Sequence, residues 1–246
     1  MAVGFAGGFL GAMLGVGGGV IIVPGLILVA GLPFQYAVGA SLVCIVATSV
    51  SGTVVYLRRG LVDLRIGIEL QIFTVLGAVA AGLVAPLVPA APLYFGFALL
   101  TLAATVRMVP RQRRQPHGQR EFSGKWRQVA RGASLGAGVI SGLLGVGGGI
   151  LNVPILHALL GMRFDRAAAT SVYIFGLTAL AAAAVYGVRG DVDTMVAGTT
   201  AIGTLLGAAC GAVIAGKVSG RALQVSFALL LLYVTGRMLL RGIAAL

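Results

Sequence analysis

The sequence predicts an all-α polytopic membrane protein, with about eight transmembrane segments in two tandem pseudo-symmetric repeats. The first segment of each repeat is broken at a Gly-x-Gly-Gly-Gly motif. Three observations carry this expectation. Of 246 residues, 59% are hydrophobic and 10% charged, with a mean hydropathy of +1.04. That balance belongs to chains whose apolar runs reach about 20 residues. The run Gly15-Val16-Gly17-Gly18-Gly19, with Pro24 five residues on, returns 130 residues later as Gly145-Val146-Gly147-Gly148-Gly149 with Pro154. Much of the remaining chain repeats at the same offset of 130, as internal duplication in transporters does.

Taken in order, segment one runs from about Val3 to Ala30 and is interrupted at its glycines, each of which costs a helix interior roughly 1 kcal/mol relative to Ala. Gly7, Gly11 and Gly15 form a small-xxx-small face, repeated as Ala137, Ser141 and Gly145. Segment two spans about Phe34 to Leu57 and carries Ser41 and Thr48, matched by Ser171 and Thr178. The loop Arg59-Gly60-Leu61-Val62-Asp63 returns as Arg189-Gly190-Asp191-Val192-Asp193. Segments three and four, about Ile66 to Val88 and Pro92 to Val109, complete a first membrane repeat over residues 1–109. Residues 110–130 form a basic linker, and 131–246 the second repeat.

Orientation follows from charge. Arg107, Arg111, Arg113, Arg114, Arg120, Lys125, Arg127 and Arg131 cluster around the linker against one acid, Glu121; the chain has 18 basic residues in all. The positive-inside rule puts the linker in the cytoplasm. An alternative organisation is inverted repeats: if segment one is re-entrant and turns at its glycines, each half crosses three times. The flanking charges leave this open. The parallel arrangement puts Arg163, Arg166, Lys217 and Arg221 outside, whereas the inverted one puts Arg189, Arg237 and Arg241 there.

The net charge of +12 lies mainly between apolar runs, which argues against a nucleic-acid partner. No HExxH, CxxC or Walker lysine is present, so neither an enzyme, a metal site nor a cofactor is expected. Cys44 and Cys210 read as isolated apolar residues. Consecutive glycines can aim successive N–H groups at one point, and a helix restarting behind them adds the positive end of its dipole. The candidate anion site is therefore Gly17, Gly18 and Gly19 against Gly147, Gly148 and Gly149, with Ser41, Thr170, Ser171 and Asn152 as side-chain donors. Asn152 stands where the first repeat has Ile22. Glu69 and His157 are the candidates for proton coupling, as intramembrane ionisable groups.

The doubled Gly-x-Gly-Gly-Gly-x-x-x-x-Pro, followed by Ala40-Ser41 or Thr170-Ser171 and then by Arg59 to Asp63 or Arg189 to Asp193, resembles the TauE/SafE sulfite-exporter family, also called the toluene-sulfonate uptake permeases. The likeness covers essentially the whole chain. It implies a secondary transporter in a prokaryotic inner membrane that moves small sulfur-containing or organic anions such as sulfite, sulfonates or sulfoacetate. A coupling ion, H+ or Na+, and an oligomeric assembly are left open by it. The alternatives are an anion channel or a transporter of a non-sulfur carboxylate. The first repeat departs from the second in having Ala40 where the second has Thr170. A Cys placed at Gln115 should resist a membrane-impermeant thiol reagent added to intact cells, and react once the membrane is opened.

Overall fold

The computed structural model describes residues 1–14, 17–108, 124–214 and 220–245. Gly15 and Val16 of the first glycine motif, and linker residues Arg111, Arg113, Arg114 and Arg120, lie outside the described residues. The described residues form helices throughout. The first half contains α1 (Ala2–Leu14), α2 (Gly19–Val29), α3 (Phe34–Arg58), α4 (Leu64–Val84) and α5 (Ala90–Met108). The second contains α6 (Gly124–Leu144), α7 (Gly149–Pro154, continued by a π-helical turn over Ile155–Leu159), α8 (Phe164–Val188), α9 (Thr194–Ile214) and α10 (Gly220–Ala244). Four described helices are long and apolar enough to cross a membrane, at Phe34–Arg58, Leu64–Leu87, Phe164–Val188 and Thr194–Gly211.

The loop motifs explain the helix ends. Gly60 and Gly190 take left-handed φ of 62° and 80°, and Leu61 and Asp191 donate their N–H groups back to Tyr56 O and Tyr186 O. This is the Schellman-type stop that glycine permits. Asp63 and Asp193 then cap the next helices: Asp63 Oδ1 accepts from Ile66 N at 3.1 Å, and Asp193 Oδ1 from Met195 N and Val196 N at 2.9 and 3.0 Å. The Arg-Gly-x-x-Asp motif is thus a helix-stop, helix-start signal.

The first segment of each repeat is a hairpin. A methyl on Gly11 would stand 2.5 Å from Gly18 N, one on Gly7 2.5 Å from Ile22, and one on Gly25 2.5 Å from Val3. Advancing along α1 therefore means retreating along α2. Helix directions elsewhere agree. Ser49 Oγ donates to Val172 O at 2.8 Å and Gly39 abuts Asp191 O, so α3 and its counterpart α8 run antiparallel. The Thr101–Thr235 hydroxyl pair at 2.8 Å and the contact of Gly242 with Phe95 make α5 and α10 antiparallel too. In helix direction the two halves are inverted. This is the re-entrant alternative read from the sequence, not the four-crossing one, because the glycines reverse the chain instead of interrupting a single span.

The halves exchange their hairpins. α1 lies along α9 and α6 along α4, both in parallel register. Methyls on Gly8 and Gly138 would strike the backbones of Thr204 and Thr74, and one on Gly142 would stand 2.7 Å from Ala78 O. Small residues allow this backbone-to-backbone approach, which replaces the missing hydrophobic drive between helices in lipid. Gly138→Ala should therefore lower Tm, since forcing a methyl into a packed interface costs typically 1–3 kcal/mol. Gly136→Ala, where nothing lies within 4 Å, should leave Tm unchanged or raise it. Equal Tm values for the two variants would contradict this packing account.

Candidate anion site

The two hairpin tips meet. A methyl on Gly19, the first residue of α2, would stand 2.6 Å from Gly145 O and 3.1 Å from Val146 C. The two glycine motifs, distant in sequence, thus approach each other backbone to backbone. Each tip turns on left-handed glycines. Gly17 and Gly18 have φ of 81° and 76°, and Gly145, Gly147 and Gly148 have 66°, 74° and 56°. An L side chain in that region costs roughly 1–2 kcal/mol per residue. Gly18 and Gly148 are each followed directly by right-handed helix. A left-handed to right-handed step turns successive N–H groups to one side, the geometry of an anion nest.

The tips are also covered reciprocally. The Phe175 ring lies 3.3 Å from where a Gly17 Cβ would stand, and Ile45, its counterpart 130 residues earlier, lies 2.9 Å from that of Gly147. Apolar covers lower the local dielectric, which strengthens any N–H contact to an anion beneath them. One expected donor is already engaged: Gly149 N–H bonds Gly147 O at 2.5 Å. Gly17, Gly18, Gly19, Gly147 and Gly148 remain as the N–H groups of the turns.

The side chains part company despite their sequence equivalence. Ser41 Oγ donates to Gly145 O at 2.8 Å and ties α3 to the second tip. Ser171, its counterpart, is fully buried and its hydroxyl has no partner. Asn152 is 2% exposed and sits on the second tip, its Nδ2 lying 3.1 Å from where a Gly148 Cβ would stand. Thr170 is not brought to the tips; its hydroxyl accepts the Asp63 N–H at 3.0 Å and fastens the α3–α4 loop to α8. Thr48 bonds carbonyls of its own helix, while Thr178 bonds Thr74 Oγ1 at 2.9 Å and Ile174 O at 2.8 Å.

The two ionisable candidates lie elsewhere. Glu69 accepts from Arg127 Nε at 2.6 Å, from Arg127 Nη2, and from Arg131 Nε at 2.9 Å, joining α4 to the start of α6. His157 Nδ1 is 2.7 Å from Met162 O and its ring stands edge-on to Phe164. Ser141 was missed as a site residue, because in sequence it reads only as a small interface position. Its hydroxyl is buried, unpartnered, and 3.8 Å from the would-be Gly148 Cβ.

The Ser41–Ser171 difference is measurable. Ser41→Ala strands the buried Gly145 carbonyl and should destabilise by about 1–3 kcal/mol, read as a lower Tm. Ser171→Ala removes a hydroxyl with nothing to lose and should be neutral or stabilising in ligand-free protein. Equal losses would refute the asymmetry.

Comparison with known proteins places the chain among membrane transporters. The family model "Sulfite exporter TauE/SafE" matches residues 1–238. The chain is 24% identical to the probable membrane transporter protein YunE of Bacillus subtilis, over 99% of this chain and 97% of that protein. It is 27% identical to the probable membrane transporter protein YdhB of the same organism, over 83% and 84% of the two chains. It is 28% identical to the probable membrane transporter protein MJ0441 of Methanocaldococcus jannaschii, over 72% and 67%. No solved structure matches the chain significantly. With a whole-chain family match on a twice-turned, all-helical membrane scaffold, the chain belongs to the sulfite exporter TauE/SafE family.

Proposed function

We propose that this protein is a secondary transporter, not an enzyme, that moves a small sulfur-containing oxyanion across a prokaryotic inner membrane. The anion binds where the two hairpin tips meet. The observation that carries this reading is the contact of Gly19 with Gly145 and Val146. It sets two left-handed glycine turns face to face, with the hydroxyls of Ser141 and Ser171 buried and unpartnered. Such a site holds an anion on N–H and O–H groups alone. Helix dipoles assist at the restart of α2 and, more weakly, of the short α7. The absence of a lysine or arginine from the tips suits a transporter, which must release what it binds.

The inverted halves supply the movement. One hairpin enters from each side, so rocking one half against the other exposes the tips to the two faces in turn, the alternating access of inverted-repeat transporters. With the linker cytoplasmic, Arg58, Arg59, Arg163 and Arg166 share its side. The second hairpin then enters from the cytoplasm and the first from outside. Glu69 and His157 are held by Arg127 and Arg131 and by Met162 O respectively. They stay the candidate groups for proton coupling in this reading.

Sulfite binding to the purified protein, followed by its effect on Tm, tests the site. Gly148→Ala crowds Asn152 and Ser141 and should weaken sulfite binding at least tenfold, equivalent to about 1.4 kcal/mol. Asn152→Ile, which copies the first repeat, should change the preference between sulfite and bulkier sulfonates while leaving Tm near that of the parent. Unaltered sulfite affinity in both Gly148→Ala and Gly18→Ala would rule out the paired-turn site.

A further inference from the structure

The scaffold is two-fold, but its buried donors are not. Among the described residues, four buried side-chain donors lack a partner: Gln71 Nε2 and the hydroxyls of Ser134, Ser141 and Ser171. Their counterparts 130 residues away are Ala201, Gly4, Gly11 and Ser41. Three of these have no polar side chain, and the fourth, Ser41, is satisfied by Gly145 O. Every unpartnered donor therefore belongs to one flank, where α4, the second hairpin and α8 meet.

Their order along that flank follows from helix register. Ala130, Ser134, Ala137 and Ser141 recur at i, i+4, i+7 and i+11, the spacing of one helix face, and all four are buried. α6 runs parallel to α4, with Gly138 on Thr74 and Gly142 on Ala78. One turn back from the Gly138–Thr74 contact, the same register sets Ser134 beside Leu70 and Gln71. Ser141 lies seven residues beyond Ser134, about 10 Å further along the axis at 1.5 Å per residue, and borders Gly148 at the tip. In the opposite direction the line reaches Arg127 and Arg131. These are 39% and 37% exposed and share the single carboxylate of Glu69, so the cluster carries one positive charge in excess. Arg131 also lies over the Phe73 ring, 5.7 Å from its centroid.

We infer that this seam between α4 and α6 is the route by which the anion travels between the linker side and the hairpin tips, with Arg127, Arg131 and Glu69 at its mouth and Gln71 and Ser134 as an intermediate station. The inference rests on the transport reading above and deepens it. Along the seam the unpartnered groups are Gln71 Nε2 and the hydroxyls of Ser134 and Ser141, all of which can donate, and the mouth is cationic, so the seam matches an anion. The equivalent seam between α1 and α9 has Gly4, Gly11 and Ala201 at the corresponding positions, and Thr199 stands in place of Glu69. The two sides of the transporter thus handle the anion differently. In the described conformation the station is buried and the seam is closed, and parting of α6 from α4 uncovers it. The Arg127–Glu69 and Arg131–Glu69 pairs are the contacts that parting must break, and an arriving anion can replace Glu69 on one guanidinium.

Full-length protein in liposomes, assayed for initial rates of radiolabelled sulfite flux, tests the route. Binding is measured on the same variants in detergent. Gln71→Glu keeps the shape of the side chain while replacing a donor by a repelling carboxylate. It should reduce the flux at least tenfold with half-saturating sulfite for binding changed less than twofold. Ser134→Ala should slow flux about threefold, and Gln71→Asn, which retains the amide, should stay within threefold of the parent. If Gln71→Glu does not fold, Gln71→Met, of similar volume and without a donor, is read in the same way. Flux within twofold of the parent in both Gln71→Met and Ser134→Ala would overturn the route. Equal loss of binding and flux in Gln71→Met would overturn it too, by moving Gln71 into the binding site. A parent protein that neither binds nor moves sulfite would sink the sulfite-transport reading and the route together, whereas normal parent flux with unaffected variants sinks the route alone.

Discussion

Everything in this fold depends on reversing the chain inside an apolar environment. Only glycine takes φ near +75° without a Cβ penalty, and the tips use it at Gly17, Gly18, Gly145, Gly147 and Gly148. Because the chain turns there, the first segment of each repeat leaves on the side from which it entered. Three long helices then remain per half. The antiparallel pairs α3–α8 and α5–α10 show the second half inverted in helix direction relative to the first. In that arrangement the two hairpin tips touch.

The hairpins are held by exchange. Each lies along a helix of the other half, at glycines where a methyl would meet backbone. The residues facing away, such as Val188 at 91% and Leu87 at 80% exposure, are apolar and suit lipid contact. Packing between helices here is steric and not hydrophobic in origin, since lipid tails are as apolar as leucine. A tight, small-residue contact is strong when closed and leaves little to hold it once parted, which suits elements that must separate and rejoin. Arg127 and Arg131 on α6 also pair with Glu69 on α4.

Symmetry therefore builds the framework, and departures from it build the chemistry. The tip glycines obey the offset of 130, as do the helix-stopping Gly60 and Gly190 and the capping Asp63 and Asp193. Asn152, Ser141, Ser134 and Gln71 break it, and they collect on one flank. A site with identical halves would bind equally from both faces.

By itself the sequence determined the membrane class and the place of both helix breaks. Hydropathy, an exact repeat offset and clustered glycines are local or one-dimensional signals, and they survive in a string of letters. Tertiary structure alone decided whether those breaks interrupt a span or reverse it. A kinked helix and a hairpin need the same glycines and the same apolar flanks, and the loop charges were balanced between the two. It also decided which donors are free. Ser41 and Ser171 occupy matching places, yet one is satisfied by a carbonyl 104 residues away and the other is not. Glu69 read as a lone intramembrane acid because its partner Arg127 lies 58 residues on, and only the parallel packing of α6 along α4 brings them together. Ser141 passed for a packing residue for the same reason. A hydroxyl's partner is set by neighbours in space, and no spacing along the chain records it.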